Sequence, residues 1–261
     1  MTELSATEKL LSFRKEQEGF LEPSFDTILA YGPHAAVVHY SPSPQTDCPL
    51  EPKGLCLIDS GAHYTCGTTD ITRTVVLGPL SPEEKKAFTL VLKGHLALGS
   101  AKFRHGTTGG ALDILAREPL WKEGMDFNHG TGHGVGFVLS VHEGPQRIRY
   151  GNGSGCNVVL ENGMIFSDEP GYYEDHRFGI RHENLVLVQG EPDERFHSLL
   201  PLTLVPFDRE GIDLSLFSEE DCRLLNEYHE KVQSALLPYL QGEERDWLME
   251  VTEPLAFEKP Y

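Results

Sequence analysis

Five segments of the chain carry the apolar or β-branched patterns that are typical of strands. They are residues 36–40, 55–59, 70–77, 164–168 and 183–188. The second segment ends in an acid and is followed by the turn pair Ser60-Gly61. The spacing of the second and third segments therefore predicts an antiparallel pair joined by a loop.

Helix signals lie between and around these strands. Ser5 and Glu8 form a capping-box pattern that predicts a helix to about residue 18. Ser81, followed by Pro82 and two glutamates, predicts a helix that runs to residue 99. Further helices are predicted over residues 110–117 and 219–237. Strand pairs come first along the chain, helices follow, and further strands come after them. This order predicts an α+β fold with a mostly antiparallel sheet.

The composition is that of a folded and acidic protein. Apolar residues make up 39% of the 261 residues and aromatic residues 9%, which suits a sizeable core. Forty acidic residues against 22 basic ones give a formal charge of −18. This charge repels nucleic acid and anionic lipid, and no basic cluster offsets it. We therefore expect neither nucleic acid nor a membrane as a partner.

The termini and cysteines predict a cytoplasmic protein without disulfides. Residues 1–17 are polar and charged, and they lack the apolar stretch of a signal peptide. No run is apolar for the length of a transmembrane helix, about 18 residues. The cysteines are odd in number and form no CxxC pair, which indicates neither a disulfide framework nor a zinc knuckle. Cys56 lies in an apolar run and is predicted to be a core residue.

Acids and a histidine stand at strand ends or beside glycines, and they form a candidate metal site. The candidates are Asp59, Asp70, His133, Glu169 and Glu183. Four carboxylates and one imidazole are a hard ligand set that suits Mn²⁺, Co²⁺, Fe²⁺ or Zn²⁺, and their four charges balance two divalent ions. Glycines on both sides of the histidine allow close approach of the backbone.

The same residues also permit plainer interpretations. An acid at a strand end is more often a turn residue or a cap, and a histidine in a glycine-rich loop is more often structural. His129 and His133 have the spacing of an HExxH zinc site, but no glutamate follows His129 and two glycines lie between the histidines. We reject that zinc site. Spacing alone leaves the two-metal site and structural roles both open.

The motifs in their order resemble the pita-bread metallopeptidases, a superfamily that includes methionine aminopeptidase, prolidase and aminopeptidase P. They are most similar to the cytosolic type of the aminopeptidase P (Xaa-Pro aminopeptidase) family. The matching segments are residues 24–28, 31–34, 38–40, 57–61, 67–74, 129–136 (HGTGHGVG), 141–145 (VHEGP), 168–175 (DEPGYYED), 179–184 (GIRHEN) and 202–206. Together they are highly specific for this superfamily.

This resemblance implies a pita-bread fold, with a curved and mostly antiparallel sheet covered by helices. We interpret residues 1–261 as a single catalytic domain, with core motifs in 20–206 and a C-terminal extension in 207–261. Aminopeptidase P chains normally carry amino-terminal domains and further helices before the helix predicted here near residue 5. We expect this sequence to lack them, which casts doubt on its stability and activity. Family members often dimerise, so a homodimer is also expected.

The resemblance also implies a role for each site residue. Asp59, Asp70, His133, Glu169 and Glu183 would bind two divalent ions, with Mn²⁺ expected first, and Asp70 and Glu183 would bridge them. His39, His129 and His142 fall on substrate-binding and proton-shuttling positions. Arg181 would hold a ligand carboxylate, and Tyr173 would lie near the same network. His182 stands where an aliphatic residue is usual, and strand alternation predicts that it points away from the metals.

The implied reaction is hydrolysis of the bond between an N-terminal residue and a following proline. A water that bridges the metals would attack the carbonyl, with Glu169 as the base. His142 and His39 would stabilise the intermediate and pass a proton to the proline nitrogen, which carries no hydrogen in the substrate. The substrates would be peptides with proline in second position.

Four other functions stay open. Prolidase, which cleaves only Xaa-Pro dipeptides, is the nearest rival, although residues 68–73 and 172–175 favour the aminopeptidase. Methionine aminopeptidase fits the proline-specific motifs poorly. A non-enzymatic binding module on this scaffold typically lacks metal ligands, and this chain has all five. A catalytically inactive, truncated fragment is the fourth alternative.

Overall fold

All strand pairs in the described part of the chain are antiparallel, which confirms the predicted α+β class. The computed structural model describes residues 1–151, 153–192 and 195–257. The helices are α1 (Glu3–Lys15), α2 (Pro82–Gly99), α3 (Gly109–Trp121), α4 (Glu219–Leu236) and α5 (Gly242–Val251). None of the helices in these ranges is long and apolar enough to cross a membrane.

The strands are short and belong to several small sheets. In chain order they are β1 (Phe20–Pro23), β2 (Ile28–Tyr31), β3 (Leu55–Ser60), β4 (Ala62–Tyr64), β5 (Gly67–Thr68), β6 (Ile71–Val76), β7 (Phe103–Arg104), β8 (Gly132–His133), β9 (Arg147–Ile148), β10 (Ile165–Asp168), β11 (Gly171–Glu174), β12 (Phe178–Arg181), β13 (Asn184–Gly190) and β14 (Phe196–Pro201). The sheets have the orders β1-β4-β5, β2-β3-β6, β10-β13-β14-β7, β8-β9 and β11-β12.

The predicted pair of strands around residues 55–77 is confirmed. Strand β3 runs antiparallel to β6, with Asp59 opposite Thr72 and Ser60 opposite Ile71. The connection between them is more than a loop, because it contains strands β4 and β5, which form their own hairpin. The strands predicted near residues 164–168 and 183–188 are confirmed as β10 and β13, which also pair.

The strand predicted over residues 36–40 is wrong. Residues Gly32–Ala36 form a 3₁₀ helix with Pro33 in its first turn, and the chain then turns again through hydrogen bonds from Val37 N–H to His34 O and from Tyr40 N–H to Val37 O. Val37 is 57% exposed, so it has no sheet surface to pack on. The β preference of valine depends on such packing, and β2 occupies the place beside β3 instead.

The first helix begins earlier than predicted. Its N-cap is Thr2, whose side chain accepts a hydrogen bond from Ser5 N–H, and the Ser5 hydroxyl completes the capping box. Ser5 is therefore the third residue of the helix and not its cap, and the helix ends at Lys15. The cap predicted at Ser81 is confirmed, with Glu84 completing that box. The predicted helix at 110–117 extends to Trp121, and α4 is followed by α5.

Helices α2 and α3 form the layer that covers one face of the β10-β13-β14-β7 sheet. Gly94 of α2 lies so close to Ala116 of α3 that a side chain at position 94 would overlap the Ala116 carbonyl. Phe88 of α2 and Leu225 of α4 belong to one buried apolar cluster, so α4 packs on the same core. Cys56 is buried in the core, as predicted, and all five cysteines are free.

A buried histidine in this core is expected to make the folded protein less stable at acidic pH. His229 is 1% exposed and its Nε2 accepts a hydrogen bond from Phe207 N–H. Burial, with smaller contributions from the charges of Arg209 and Arg73, lowers the pKa of His229 to about 4. As the pH falls, this histidine is protonated near pH 6.5 in the unfolded chain but only near pH 4 in the folded protein. The free energy of unfolding is therefore highest above pH 6.5 and decreases as the pH falls towards 4.

We expect His229→Gln, which keeps an acceptor but does not titrate, to remove this part of the acid sensitivity. The free energy of unfolding is measured by urea titration at pH 7 and at pH 4.5. Between these pH values it should fall less in the variant than in the wild type, and the difference between the two falls should be at most about 3 kcal/mol. His176→Asn, a change at an exposed histidine, is the control and should keep the wild-type pH dependence. An equal fall in all three proteins would contradict the assignment.

Candidate active site

A cavity of about 470 Å³ contains the five predicted metal ligands. Its lining also includes all three histidines predicted to meet the substrate and the predicted supporting arginine. These residues are His39, Asp59, Asp70, His129, His133, His142, Glu169, Arg181 and Glu183. The structure thus brings together residues that are separated by up to 144 positions in the chain.

The carboxylates reach this cavity from the ends of strands in different sheets. Asp59 lies near the end of β3 and Asp70 directly precedes β6, while Glu169 directly follows β10 and Glu183 directly precedes β13. Two backbone hydrogen bonds join the sheets beside them, from Glu183 N–H to Thr72 O (3.0 Å) and from Glu169 N–H to Thr131 O (2.8 Å). The strand ends therefore meet at one point.

The imidazole of His133 is oriented towards the carboxylates. Its Nδ1 lies 3.0 Å from the carbonyl oxygen of Gly134, so Nδ1–H donates there and Nε2 faces the site. Nε2 lies 3.2 Å from Glu169 Oε1 and 3.5 Å from Asp70 Oδ2. Glycine at position 132 is required, because a side chain there would overlap the carbonyl oxygen of Ser167 on the neighbouring strand.

The carboxylates are buried close to one another. Burial raises the pKa of Asp59, with the Arg181 guanidinium opposing it. Burial and the charges of Glu183, Asp59 and Glu169 raise the pKa of Asp70 well above its usual range. Burial and the charges of Asp59 and Glu169 do the same to the pKa of Glu183. Ionising these carboxyl groups together is therefore unfavourable unless a cation lies beside them.

Glu169 and His133 form a strongly paired contact within this cluster. Burial raises the pKa of Glu169, but the hydrogen bond and charge of His133 outweigh burial and lower it to about 2. Burial lowers the pKa of His133, but Glu169 beside it outweighs burial and raises it to about 9. The carboxylates thus stabilise a positive charge next to them.

The donor set fits a divalent metal centre. Asp70, His133 and Glu183 each offer a donor atom, these atoms lie within 4.8 Å of one another, and all three residues are buried. Asp59 Oδ1 and Glu183 Oε1 are buried and have no hydrogen-bond partner among the described residues. A buried carboxylate oxygen without a partner is costly unless a cation meets it. These oxygens supply the hard ligands that divalent ions prefer.

Arg181 is fully buried and connects this cluster to a tyrosine. Its guanidinium donates to Asp59 Oδ2 (2.6 Å), to the Tyr173 hydroxyl (2.7 Å) and to the Thr72 hydroxyl (3.2 Å). The Thr72 hydroxyl in turn donates to Glu183 Oε2 (2.7 Å). The arginine therefore fixes two carboxylates, one directly and one through Thr72, and Tyr173 lies in the same network.

His129 is held by both of its ring nitrogens. Nδ1 lies 2.8 Å from the carbonyl oxygen of Gly130, and Nε2 lies 2.8 Å from the Tyr173 hydroxyl. Burial lowers the pKa of His129 to about 4, against an opposing contribution from Glu169. The ring is thus neutral, with Nδ1–H donating to Gly130 and Nε2 accepting from Tyr173. Burial raises the pKa of Tyr173 to about 12, so the hydroxyl keeps its proton.

His39 and His142 stand at the open side of the cavity, and both are exposed. The ring of His142 packs edge to face on that of His133, with centroids 4.2 Å apart. Partial burial, followed by the charge of His133, lowers the pKa of His142. A histidine beside the carboxylates and open to solvent can exchange protons with a bound ligand.

Comparison with known proteins identifies the family. Residues 1–190 match metallopeptidase family M24, and residues 195–255 match the C-terminal region of that family. This chain belongs to family M24. Aminopeptidase P2 of Arabidopsis thaliana is 48% identical over 98% of this chain and 37% of its own length. The probable Xaa-Pro aminopeptidase P of Botryotinia fuckeliana is 45% identical over 98% of this chain and 40% of its own length.

Solved structures of the M24 family confirm the pita-bread fold. The crystal structure of X-prolyl aminopeptidase from Caenorhabditis elegans, described as a cytosolic enzyme with a dinuclear active site, superposes with a TM-score of 0.91. It is 40% identical, over 97% of this chain and 42% of that one. Prolidase from Pyrococcus furiosus has a TM-score of 0.68 and 32% identity, over 78% of this chain and 56% of that one. This M24 chain spans about two fifths of the curated relatives named above.

Sequence reasoning missed several residues that support the site. Thr72 lies within the matching segment 67–74, and strand alternation places it on the same face as Asp70. Ser167 donates from its hydroxyl to Glu169 Oε1 (3.0 Å). Arg73 is buried and donates to the backbone oxygen of Glu183 (2.6 Å) and to Asn184 Oδ1 (2.7 Å). No sequence signal could have paired Arg73 with a strand 110 residues away.

His182 lies on the side of the sheet that faces away from the cavity, as predicted. Its ring packs edge to face on Phe88, with centroids 4.4 Å apart, and near Phe207 at 5.5 Å. Burial lowers its pKa well below the usual range, so the ring is neutral. The histidine is therefore a core residue of this family member and not a ligand.

Proposed function

We propose that this M24 protein releases the N-terminal residue from peptides with proline in second position, as a dinuclear metallo-aminopeptidase. The observation that carries the proposal is the convergence of all five ligand-type side chains in one cavity, with buried carboxylate oxygens that have no hydrogen-bond partner in the described part of the chain. Similarity over 98% of the chain to proteins named aminopeptidase P supports the substrate class.

Asp59, Asp70, His133, Glu169 and Glu183 would hold the two divalent ions, and Asp70 and Glu183 would be the residues shared between them. When bound, two divalent ions would supply Lewis acidity and a water nucleophile of lowered pKa. Mn²⁺ is the proposed metal, and Co²⁺, Zn²⁺ and Fe²⁺ suit the same oxygen-rich set. Four carboxylates and the fixed charge of Arg181 leave a net negative site that divalent cations neutralise.

Glu169 is the proposed base. Its low pKa in the structure depends on a protonated His133 beside it. An imidazole that binds a metal must be neutral, so in the metal-bound protein the cations, and not His133, would supply the positive charge beside Glu169. Ser167 and the Thr131 carbonyl hold the carboxylate and the backbone of Glu169, which fixes the base relative to the rest of the site.

His142 and His39 are the proposed groups that meet the scissile bond. Their exposure at the open side of the cavity suits donors that stabilise the developing oxyanion and move a proton to the proline nitrogen. That nitrogen has no hydrogen in the substrate and leaves as an amine only after it gains one. We propose that His129 contacts the substrate through the part of its ring that lines the cavity, because Gly130 and Tyr173 already engage both of its nitrogens.

Prolidase is the rival activity, and the similarities do not favour it. The X-prolyl aminopeptidase of C. elegans matches more of this chain and with a higher TM-score than the prolidases do. A non-enzymatic binding module has no need for five convergent ligand side chains. A location in the cytoplasm is part of the proposal, supported by the description of the C. elegans enzyme as cytosolic. The homodimer stays a prediction.

Peptides that differ in one feature distinguish these activities. Protein supplied with Mn²⁺ is expected to release the first residue from Arg-Pro-Pro, to act poorly on Arg-Ala-Pro, and to act poorly on the dipeptide Arg-Pro. Products are separated and quantified by mass spectrometry. Preference for Arg-Pro over Arg-Pro-Pro would assign the chain to prolidase activity. Absence of release from every peptide by folded, metal-loaded protein would contradict the enzymatic proposal.

A further inference from the structure

A second group of potential metal ligands lies outside the active-site cavity. His105, Glu161 and His197 each offer one donor atom, and these atoms lie within 4.8 Å of one another. None of the three lines the cavity that holds the candidate metal centre. We propose that these residues form a separate binding site for a single transition-metal ion, with Zn²⁺ as the best-suited ion.

The backbone holds the three residues together from separate parts of the chain. His197 lies in β14 opposite Phe103 of β7, and His105 directly follows β7. His105 N–H donates to the carbonyl oxygen of Arg195 (2.8 Å), which fixes the end of that strand pair. Leu160 N–H donates to Thr107 O (2.9 Å), and this bond brings Glu161 alongside. The donors therefore meet because of the fold and not by chance rotation of surface side chains.

His197 is the observation that points to a ligand. It is 6% exposed, and neither Nδ1 nor Nε2 has a hydrogen-bond partner within residues 1–151, 153–192 and 195–257. A buried imidazole that leaves both nitrogens without a partner loses the hydrogen bonds that it would make with water. Its ring also contacts the ring of His105, with centroids 5.4 Å apart. A metal ion bound between them would give the buried nitrogen its partner.

The two exposed members of the group, His105 and Glu161, already lie at a distance that suits two ligands of one zinc ion. His105 Nε2 lies 3.2 Å from Glu161 Oε2, and both side chains are about half exposed, so an ion can enter from solvent. Zinc ligands lie about 2.0–2.2 Å from the ion in a tetrahedron, which places two donors about 3.4 Å apart. Two imidazoles and one carboxylate are a known ligand set for zinc, and they leave one position for water.

Such an ion would connect the β7–β14 edge of the sheet to the turn that precedes β10. The two histidines and the glutamate belong to three separate segments of the chain. A bound ion would therefore stabilise this edge of the sheet, since it binds the folded chain and not the separated segments. The high negative charge of the chain, −18, favours cation binding in general, and the test must separate that effect from a specific site.

The test compares the amount of zinc bound by matched variants of the whole chain. His105→Asn and Glu161→Gln each remove one proposed ligand, and His176→Asn removes an exposed histidine elsewhere by the same chemical change. Asparagine suits position 176, whose backbone is left-handed (φ 61°). Bound Zn²⁺ per chain is measured by elemental analysis after equilibrium dialysis at one free concentration, so binding in the active-site cavity contributes equally to all samples.

We expect His105→Asn and Glu161→Gln each to bind one zinc equivalent less than the wild type, and His176→Asn to bind as much as the wild type. Circular dichroism in the presence of a chelator verifies that each variant is folded. Equal zinc binding by wild type and His105→Asn would overturn the proposal. A similar loss in His176→Asn would also overturn it, because the binding would then be non-specific attraction to surface histidines.

Discussion

Asp70→Asn is expected to abolish metal-dependent peptide hydrolysis while the protein stays folded. Asp70 is one of three buried residues whose donor atoms already converge, and it is proposed to contact both ions. Asparagine has the same shape but no charge, so the site loses one of the four negative charges that would balance two divalent cations. We expect kcat/KM for Arg-Pro-Pro to fall by more than the roughly 10–100-fold that follows loss of a supporting residue at a metal site.

The stability of the variant provides a separate readout. Burial and neighbouring carboxylates raise the pKa of Asp70, so its charge is unfavourable in the protein without metal. Replacing a repelled charge by a neutral amide should leave the Tm of the metal-free protein unchanged or raise it. Added Mn²⁺ should raise the Tm of the wild type and not that of the variant.

Asp246→Asn is the matched control for this experiment. Asp246 is exposed in α5 and does not line the cavity, so the same chemical change should alter neither activity nor the response to Mn²⁺. Wild-type hydrolysis by Asp70→Asn would contradict the assignment of Asp70. A lower Tm of metal-free Asp70→Asn would instead show that the acid stabilises the fold.

His142→Asn is expected to lower turnover by roughly 10²–10⁴-fold and to leave metal binding intact. His142 is exposed beside His133 and is not among the five proposed ligands. Its proposed work is to stabilise charge and to move a proton at the scissile bond, and asparagine cannot shuttle a proton. Single-turnover measurements on Arg-Pro-Pro give the rate of the chemical step, and elemental analysis gives the bound Mn²⁺ per chain.

The matched control for this second prediction is His176→Asn. His176 is exposed on the hairpin between β11 and β12 and does not line the cavity, so its loss should not change turnover. Loss of bound Mn²⁺ in His142→Asn would make the histidine a ligand or a support for one. Unchanged turnover would remove His142 from the proposed reaction.

The strands that carry the ligands could be predicted because their signals are local. Asp59 and Asp70 stand at the ends of two strongly β-branched or apolar runs, and the structure pairs these runs as expected. Strand alternation also placed His182 on the face opposite Glu183. Burial on one face of a sheet makes such alternation visible in the sequence, since a shift by one residue would expose the core.

The parts that could not be predicted depend on contacts between distant segments. Residues 36–40 carry valines, yet β2 pairs with β3 and leaves them without a sheet to join. Arg73 supports Glu183 through a hydrogen bond to its backbone, a partner that only the assembled sheets define. The proposed zinc site of His105, Glu161 and His197 could not be predicted from sequence spacing either, because its members come from three separate segments.

Anomalous diffraction from crystals grown with Mn²⁺ shows whether the five side chains form one centre for two divalent ions. We expect two anomalous peaks in the cavity, about 3.5–4 Å apart, with Asp70 and Glu183 in contact with both. A single peak, or peaks that Asp59, His133 and Glu169 do not contact, would contradict it.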